Sequence, residues 1–233
     1  MVQYPCTVNA EVVMKKKRFF QGLIFLFCLF LVFGCNGSLL VSIYTSDMIA
    51  VAKKADTVLY TNATVVASGL NEDKDIEFLR NTLNSFGNER MIEQDYGEAL
   101  SFTIKVPIVN ERYQGTFDSS KDLLFIYADE NGKQIDLYCK YNDAVLAAIS
   151  DYLESEYFQT FDWNDLALTF TVENDLQDTA TVLAYSSYVN GEPCPFSTTV
   201  NLERRDSIDI EFSNVLRSSI VNGKKQLVVS LMK

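Results

Sequence analysis

The N-terminal part of the chain contains a segment that a soluble core does not accommodate. Lys15, Lys16, Lys17 and Arg18 form a compact cationic run, and residues 19–33 after it are apolar except for Gln21 and Gly22. Gly34 and Cys35 end the stretch. A helix apolar on every face belongs in the core of a large protein or in a membrane, so in a chain of this length a buried core helix is the weakest reading. A spanning helix usually needs roughly 20 apolar residues, and the run offers about 15, so an uncleaved signal anchor is the weaker reading. A basic region, a short apolar region and a small residue at the cut are the parts of a secretory signal peptide. Folding is therefore expected to involve only the chain beyond residue 34.

Residues 1–13 lie upstream of this signal and carry no charge pattern that belongs to it. Met14 would start a conventional signal over 14–34, which leaves 1–13 as a misassigned start or a short extension. Val32-Phe33-Gly34-Cys35 resembles the lipobox of bacterial lipoproteins: an aliphatic residue at −3, a small one at −1, then an obligatory cysteine. Phe33 at −2 is bulkier than the family's usual residue. The resemblance implies a diacylglyceryl group on the Cys35 thiol, cleavage before it and acylation of the new amine. Residues 35–38 then serve as anchor and linker. In a Gram-negative host of the enteric type, Asn36 at +2, where Asp is absent, points by the same resemblance to the outer membrane, with the folded part in the periplasm. The segments around residues 189–193, 202–206 and 210–215 also loosely resemble a group of uncharacterised bacterial lipoproteins, a likeness that brings no activity with it.

The chain has no histidine. That removes Ser-His-Asp and Cys-His nucleophile pairs, His-ligated zinc and imidazole acid/base chemistry. Without residues 1–34 the balance is 16 basic against 30 acidic residues, a charge of about −14, which argues against a nucleic-acid partner. No cofactor or metal is expected. Of five cysteines, Cys6 and Cys28 leave with the signal and Cys35 takes lipid, so Cys139 and Cys194 remain. An exported chain permits a disulfide between them. Two unpaired thiols are the equal alternative.

Along the mature chain, strands are expected over 39–44, 57–67 and 99–109, with helices over 48–54 and 76–86, the second closed by Gly87. A polar stretch over 110–121 reads as an internal boundary. Beyond it, 123–128 and 134–140 form a hairpin around Asn131-Gly132, and a helix starts at Asn142 or Asp143. Strands come next over 166–172, 179–188, 196–202, 207–212 and 226–232. Strand runs with a few segregated helices predict an α+β fold of mainly antiparallel sheets. Two small subdomains, 39–110 and 121–233, are expected.

Three groups of side chains stand out as candidate chemistry. Residues 71–77 alternate oxygen-bearing side chains, but an EF-hand would need Gly where Ile76 stands and Glu where Thr82 stands. An acidic first turn of a helix is the simpler reading. Asp162 and Asp165 flank Trp163 in a pattern a histidine-free glycosidase could use, or in a loop that packs the indole on the core. Arg204-Arg205 reads as a solvated turn or, less simply, as a site for an anionic partner, and the tyrosines of 185–188 as either a binding face or ordinary sheet residues. The expected function is a membrane-anchored extracytoplasmic lipoprotein, non-enzymatic, binding a protein partner. A hydrolase with paired carboxylates and a plasmid- or phage-encoded exclusion factor are the alternatives.

Overall fold

The computed structural model describes residues 37–232, apart from 95–96, 114 and 116–118. The basic–apolar segment and Cys35 therefore lie outside the described residues. Residues Asn36–Lys233 form one compact unit. Its first half runs β1 (Gly37–Tyr44), α1 (Thr45–Lys53), β2 (Val58–Ser68), α2 (Asp73–Thr82), β3 (Gly87–Gln94) and β4 (Gly97–Asn110). Then come β5 (Leu124–Asn131), β6 (Gln134–Tyr141), α3 (Asp143–Tyr157) and a short 3-10 turn, Trp163–Asp165. The chain finishes with β7 (Leu166–Glu173), β8 (Ala180–Val189), β9 (Glu192–Leu202), β10 (Ser207–Phe212), α4 (Asn214–Val221) and β11 (Gln226–Met232).

The expected α+β arrangement is corrected here: the molecule is predominantly β, and nine strands pair in a closed barrel. The circuit is β10–β7–β1–β2–β4–β5–β6–β11–β8 and back to β10, so strands of residues 39–110 and of 121–233 share one wall. Two of its joints are parallel, β1 with β7 and β4 with β5. Local patterning implies neither, because β1 and β7 are about 130 residues apart. Closure leaves fewer unpaired strand edges than open sheets would.

Two strands carry the circuit from one neighbour to the next along a single edge. β2 covers one edge of β4 throughout, and the other edge passes from β3, which ends its pairing at Thr103, to β5, which begins at Ile108. Pro107 falls in that gap, where its missing N–H costs no ladder bond. Likewise β9 covers one edge of β8, while the other passes from β11 at Ala184 to β10 at Ser187. Ser186, with φ of 47°, lies between these two stretches, where the β8–β9 ladder shifts register. The β4–β5 and β8–β10 joints hold three residue pairs each.

Alternation builds the interior. Leu39, Val41 and Ile43 of β1 face inward with Leu168, Phe170 and Val172 of β7, all buried, and Phe170 packs on Phe212 at 4.8 Å between ring centroids. Burying such a side chain contributes about 1.5–3 kcal/mol.

One end of the barrel is closed by α1, which continues from β1 without a linker and buries Met48, Val51 and Ala52. Its N-terminus meets Asp175, just past β7, whose Oδ1 accepts from the Ser46 N–H at 2.9 Å and from Thr45 Oγ1 at 3.0 Å. At its other terminus, buried Asn110 donates from Nδ2 to the Val51 and Ala52 carbonyls, each at 2.9 Å. Those carbonyls belong to the last turn, so the amide satisfies groups that burial would otherwise penalise. The opposite end carries α2, α3 and α4, which connect β2 to β3, β6 to β7 and β10 to β11.

Three local expectations need correcting. Gly87 does not close α2, which ends at Thr82; it opens β3, a largely exposed strand. Strand β9 begins at Glu192, four residues before the expected start at 196, so Pro193, Cys194 and Pro195 belong to the strand. Helix α4 is absent from the expected elements; Ser213 caps it, accepting from the Leu216 N–H at 3.3 Å.

Candidate functional site

The end of the barrel that carries three helices opens into a cleft of about 420 Å³ between the first half of α3, the Trp163 turn and the end of α4. Asp143, Leu146, Ser150, Trp163, Asn222 and Gly223 line it. Local capping sets these positions. Asn142 Oδ1 accepts from the Ala144 N–H at 3.2 Å, and its Nδ2 donates to the Ser119 carbonyl at 3.0 Å, which fixes the first turn of α3 and with it Asp143. Lys140 lies 3.7 Å from the Asp143 carboxylate. On the far side, Gly223 comes after α4 with φ of 76°, a left-handed position that favours glycine beyond a helix.

Trp163 is placed by its neighbours. Asp162 Oδ1 accepts from the Asn164 N–H at 2.9 Å and tightens the turn. The indole Nε1 then donates to Ser150 Oγ at 2.9 Å, and the ring meets Phe161 edge-on at 4.9 Å. The cleft thus presents one half-buried aromatic surface, one carboxylate, a hydroxyl and an amide. Such a set hydrogen-bonds and stacks on a ligand. It contains no nucleophile paired with a base. Among the described residues no group of three or more Cys, Asp and Glu side chains is placed to hold a metal ion.

Elsewhere the buried polar groups serve the fold. Asp75, fully buried, accepts from Tyr152 Oη at 2.6 Å and from Tyr157 Oη at 2.7 Å, and its Oδ2 accepts from the Glu72 N–H at 2.9 Å. Burial alone would raise this carboxyl, but the hydrogen bonds outweigh it and hold Asp75 below its ordinary value. Burial of the hydroxyls and the same carboxylate push both tyrosines well up. Phe78 stacks on Tyr152 at 3.9 Å, and Lys74 bridges to Glu156, so α2 and α3 form one joint. Buried Asp136 accepts from Ser230, Asn131 and Gln134. Lys225 lies 4.6 Å from the Tyr138 ring and 5.6 Å from that of Tyr127, and pairs with Glu111.

The structure gives each residue singled out in the sequence a place. Cys35 lies outside the described residues. Cys139 and Cys194 are free thiols, both buried, so of the two readings the structure holds the unpaired one. They sit on β6 and β9, with β11 and β8 between. Burial pushes the Cys139 thiol well up. Asp162 and Asp165 are exposed and bracket the turn, while Trp163 between them reaches the cleft. Residues 71–77 hold a capping box, with Asp75 turned inward. Arg204 and Arg205 are exposed in the turn before β10, where the Arg205 N–H donates to the Asn174 carbonyl at 2.7 Å. Of the tyrosines in 185–188, Tyr185 shares a hydrogen bond with Ser230 at 3.1 Å and Tyr188 is exposed. Sequence reasoning missed Asp143 and Asn222 as cleft residues and, as fastenings, Asn110, Asp175 and Asn174, whose Oδ1 accepts from Thr45 Oγ1 at 3.2 Å. No spacing marks the last three, because Asn110 lies 58 residues from Ala52 and Asp175 lies 129 from Ser46.

No curated protein and no solved structure matches the chain. A family model described as a domain of unknown function, DUF7424, matches residues 38–232, nearly the whole described barrel, and the chain belongs to that family.

Proposed function

We propose that the protein is a membrane-anchored extracytoplasmic lipoprotein whose barrel binds a protein partner rather than catalysing a reaction, with Cys35 as the lipid site. The observation that carries this reading is where the fold begins. Strand β1 starts at Gly37 and the family match at residue 38, both within three residues of Cys35. The described barrel wall thus begins beyond residue 34. Several acyl chains on Cys35 would give stable attachment, since each buried CH₂ contributes about 0.8 kcal/mol. A binding role is supported by the lining of the cleft, where Trp163, Asp143, Ser150 and Asn222 offer an aromatic surface and hydrogen-bonding groups. The outer membrane, with the barrel in the periplasm, is the location this reading favours.

Radiolabelled palmitate and fractionation test it. The full chain is expected to take up label and sediment with membranes, and Cys35→Ala to lose both. Label kept by Cys35→Ala, or a chain recovered from the cytosol, overturns the proposal.

A further inference from the structure

We infer that the end of the barrel carrying α2, α3 and α4 is a lipid-facing surface, which rests on the bilayer headgroups while α1 points away from the membrane. This inference rests on the lipoprotein reading above. Cys35 precedes Gly37 by two residues, and an extended residue spans at most about 3.6 Å, so the anchored residue lies within about 7 Å of the start of β1. A tether that short leaves the barrel little choice of orientation. The end at which β1 begins is the end held against the lipid.

Contacts and chain order link the apolar groups of that end to the entry point. Gly37 pairs with Leu166, and a Cβ on Gly37 would come within 2.9 Å of Leu166 Cδ1. The Leu166 carbonyl accepts from Arg217 Nη1 at 3.0 Å, and Arg217 Nη2 also pairs with Asn214, so the first turn of α4 stands beside the entering strand. Val215, next to Asn214, is 81% exposed. The Trp163 turn leads directly into Leu166. Ahead of it, Phe158 ends α3 at φ of 55° and is 92% exposed.

Large apolar side chains so exposed are unfavourable in water, whereas an interface accepts aliphatic and aromatic groups at headgroup depth. Phe196 is 84% exposed too, but it sits on β9, outside the closed circuit, and serves as a control. The eight residues of β1 carry the α1 end about 25 Å from the entry point, clear of the headgroups and open to a partner.

The chain contains one tryptophan, Trp163, and its emission reads the geometry directly. The full-length lipidated protein is reconstituted in phosphatidylcholine vesicles with or without lipid bearing a nitroxide on its headgroup. Palmitate label is measured on the same preparation. Contact with the headgroup layer predicts a roughly twofold loss of emission with the nitroxide lipid. The double variant Phe158→Asp, Val215→Asp should recover most of that emission, and Phe196→Asp should leave the loss unchanged. Label present with emission indifferent to the nitroxide overturns the inference and leaves the lipoprotein reading standing, as it would if a protein partner covers these side chains. Label absent overturns both. Full quenching retained in the double variant overturns the part given to Phe158 and Val215.

Discussion

The barrel is closed by opposite means at its two ends. At one, a single helix is fastened by side chains at both termini, Asp175 at the start and Asn110 at the finish, and its apolar face belongs to the core. At the other are three helices, of which α2 and α3 are joined by side-chain contact; a cleft remains between α3 and α4, and Phe158 and Val215 stand in the open. The contrast separates what the fold needs from what the surface offers. Hydrogen bonds to helix termini tolerate little change, whereas a layer of helices joined by side-chain contact can vary while the wall stays shut.

Asn110→Ala should break this contrast most severely. It leaves two buried carbonyls unpaired, at a cost of about 2–4 kcal/mol in urea unfolding. A loss under about 1 kcal/mol would show that α1 is not held there. Asp75→Asn comes next, at about 1–3 kcal/mol, because it weakens the joint between α2 and α3. That variant also carries a pH signature. Because the fold holds the Asp75 carboxyl below its ordinary value, the folded state binds that proton less readily than the unfolded chain does. Its contribution is complete above the ordinary carboxylate range and is lost as pH falls through that range toward the depressed value. Unfolding measured between neutral and acid pH should slope less steeply in Asp75→Asn than in the parent, and equal slopes would remove Asp75 from the account.

Asp175→Ala removes the cap supplied to α1 from the segment past β7 and should cost about 1 kcal/mol at neutral pH. Ser150→Ala should cost least, about 0.5 kcal/mol, by releasing the indole N–H of Trp163 toward the cleft. A change in Trp163 emission with little change in stability would mark the cleft lining as soft. A loss as large as that of Asn110→Ala would make the two ends alike.

Much of the wall was legible strand by strand. The alternation in 39–44, 166–172 and 207–212 is the ordinary mark of a strand with one buried face, and each is a strand. How they join was not legible. The β1–β7 pairing and the passage of β8 from β11 to β10 depend on residues far apart in the chain, and no local pattern announces a circuit. Strand β3 escaped because Asn88, Glu89, Arg90 and Glu93 leave it almost no apolar face. Helix α4 escaped because it is eight residues long and buries only Leu216 and Ile220. Of the cleft, Trp163 was visible as an aromatic between acids. Asp143 was visible only as a cap, since its partners across the gap come from the end of another helix.

The two three-pair joints, β4 with β5 and β8 with β10, divide the wall into half-shells. One holds β10, β7, β1, β2 and β4; the other holds β5, β6, β11 and β8. Within each half every ladder is longer, up to eleven pairs between β2 and β4. Short ladders release their amides at lower free energy than long ones, so the molecule should part along these lines before either half dissolves. Such a parting would resemble a shell opening on two thin hinges, with α1 spanning from one valve to the other. Helix α1 is then more than a stopper: fastened beyond β7 and at the end of β4 and packed against β5, it is the crosspiece that keeps the β4–β5 seam shut.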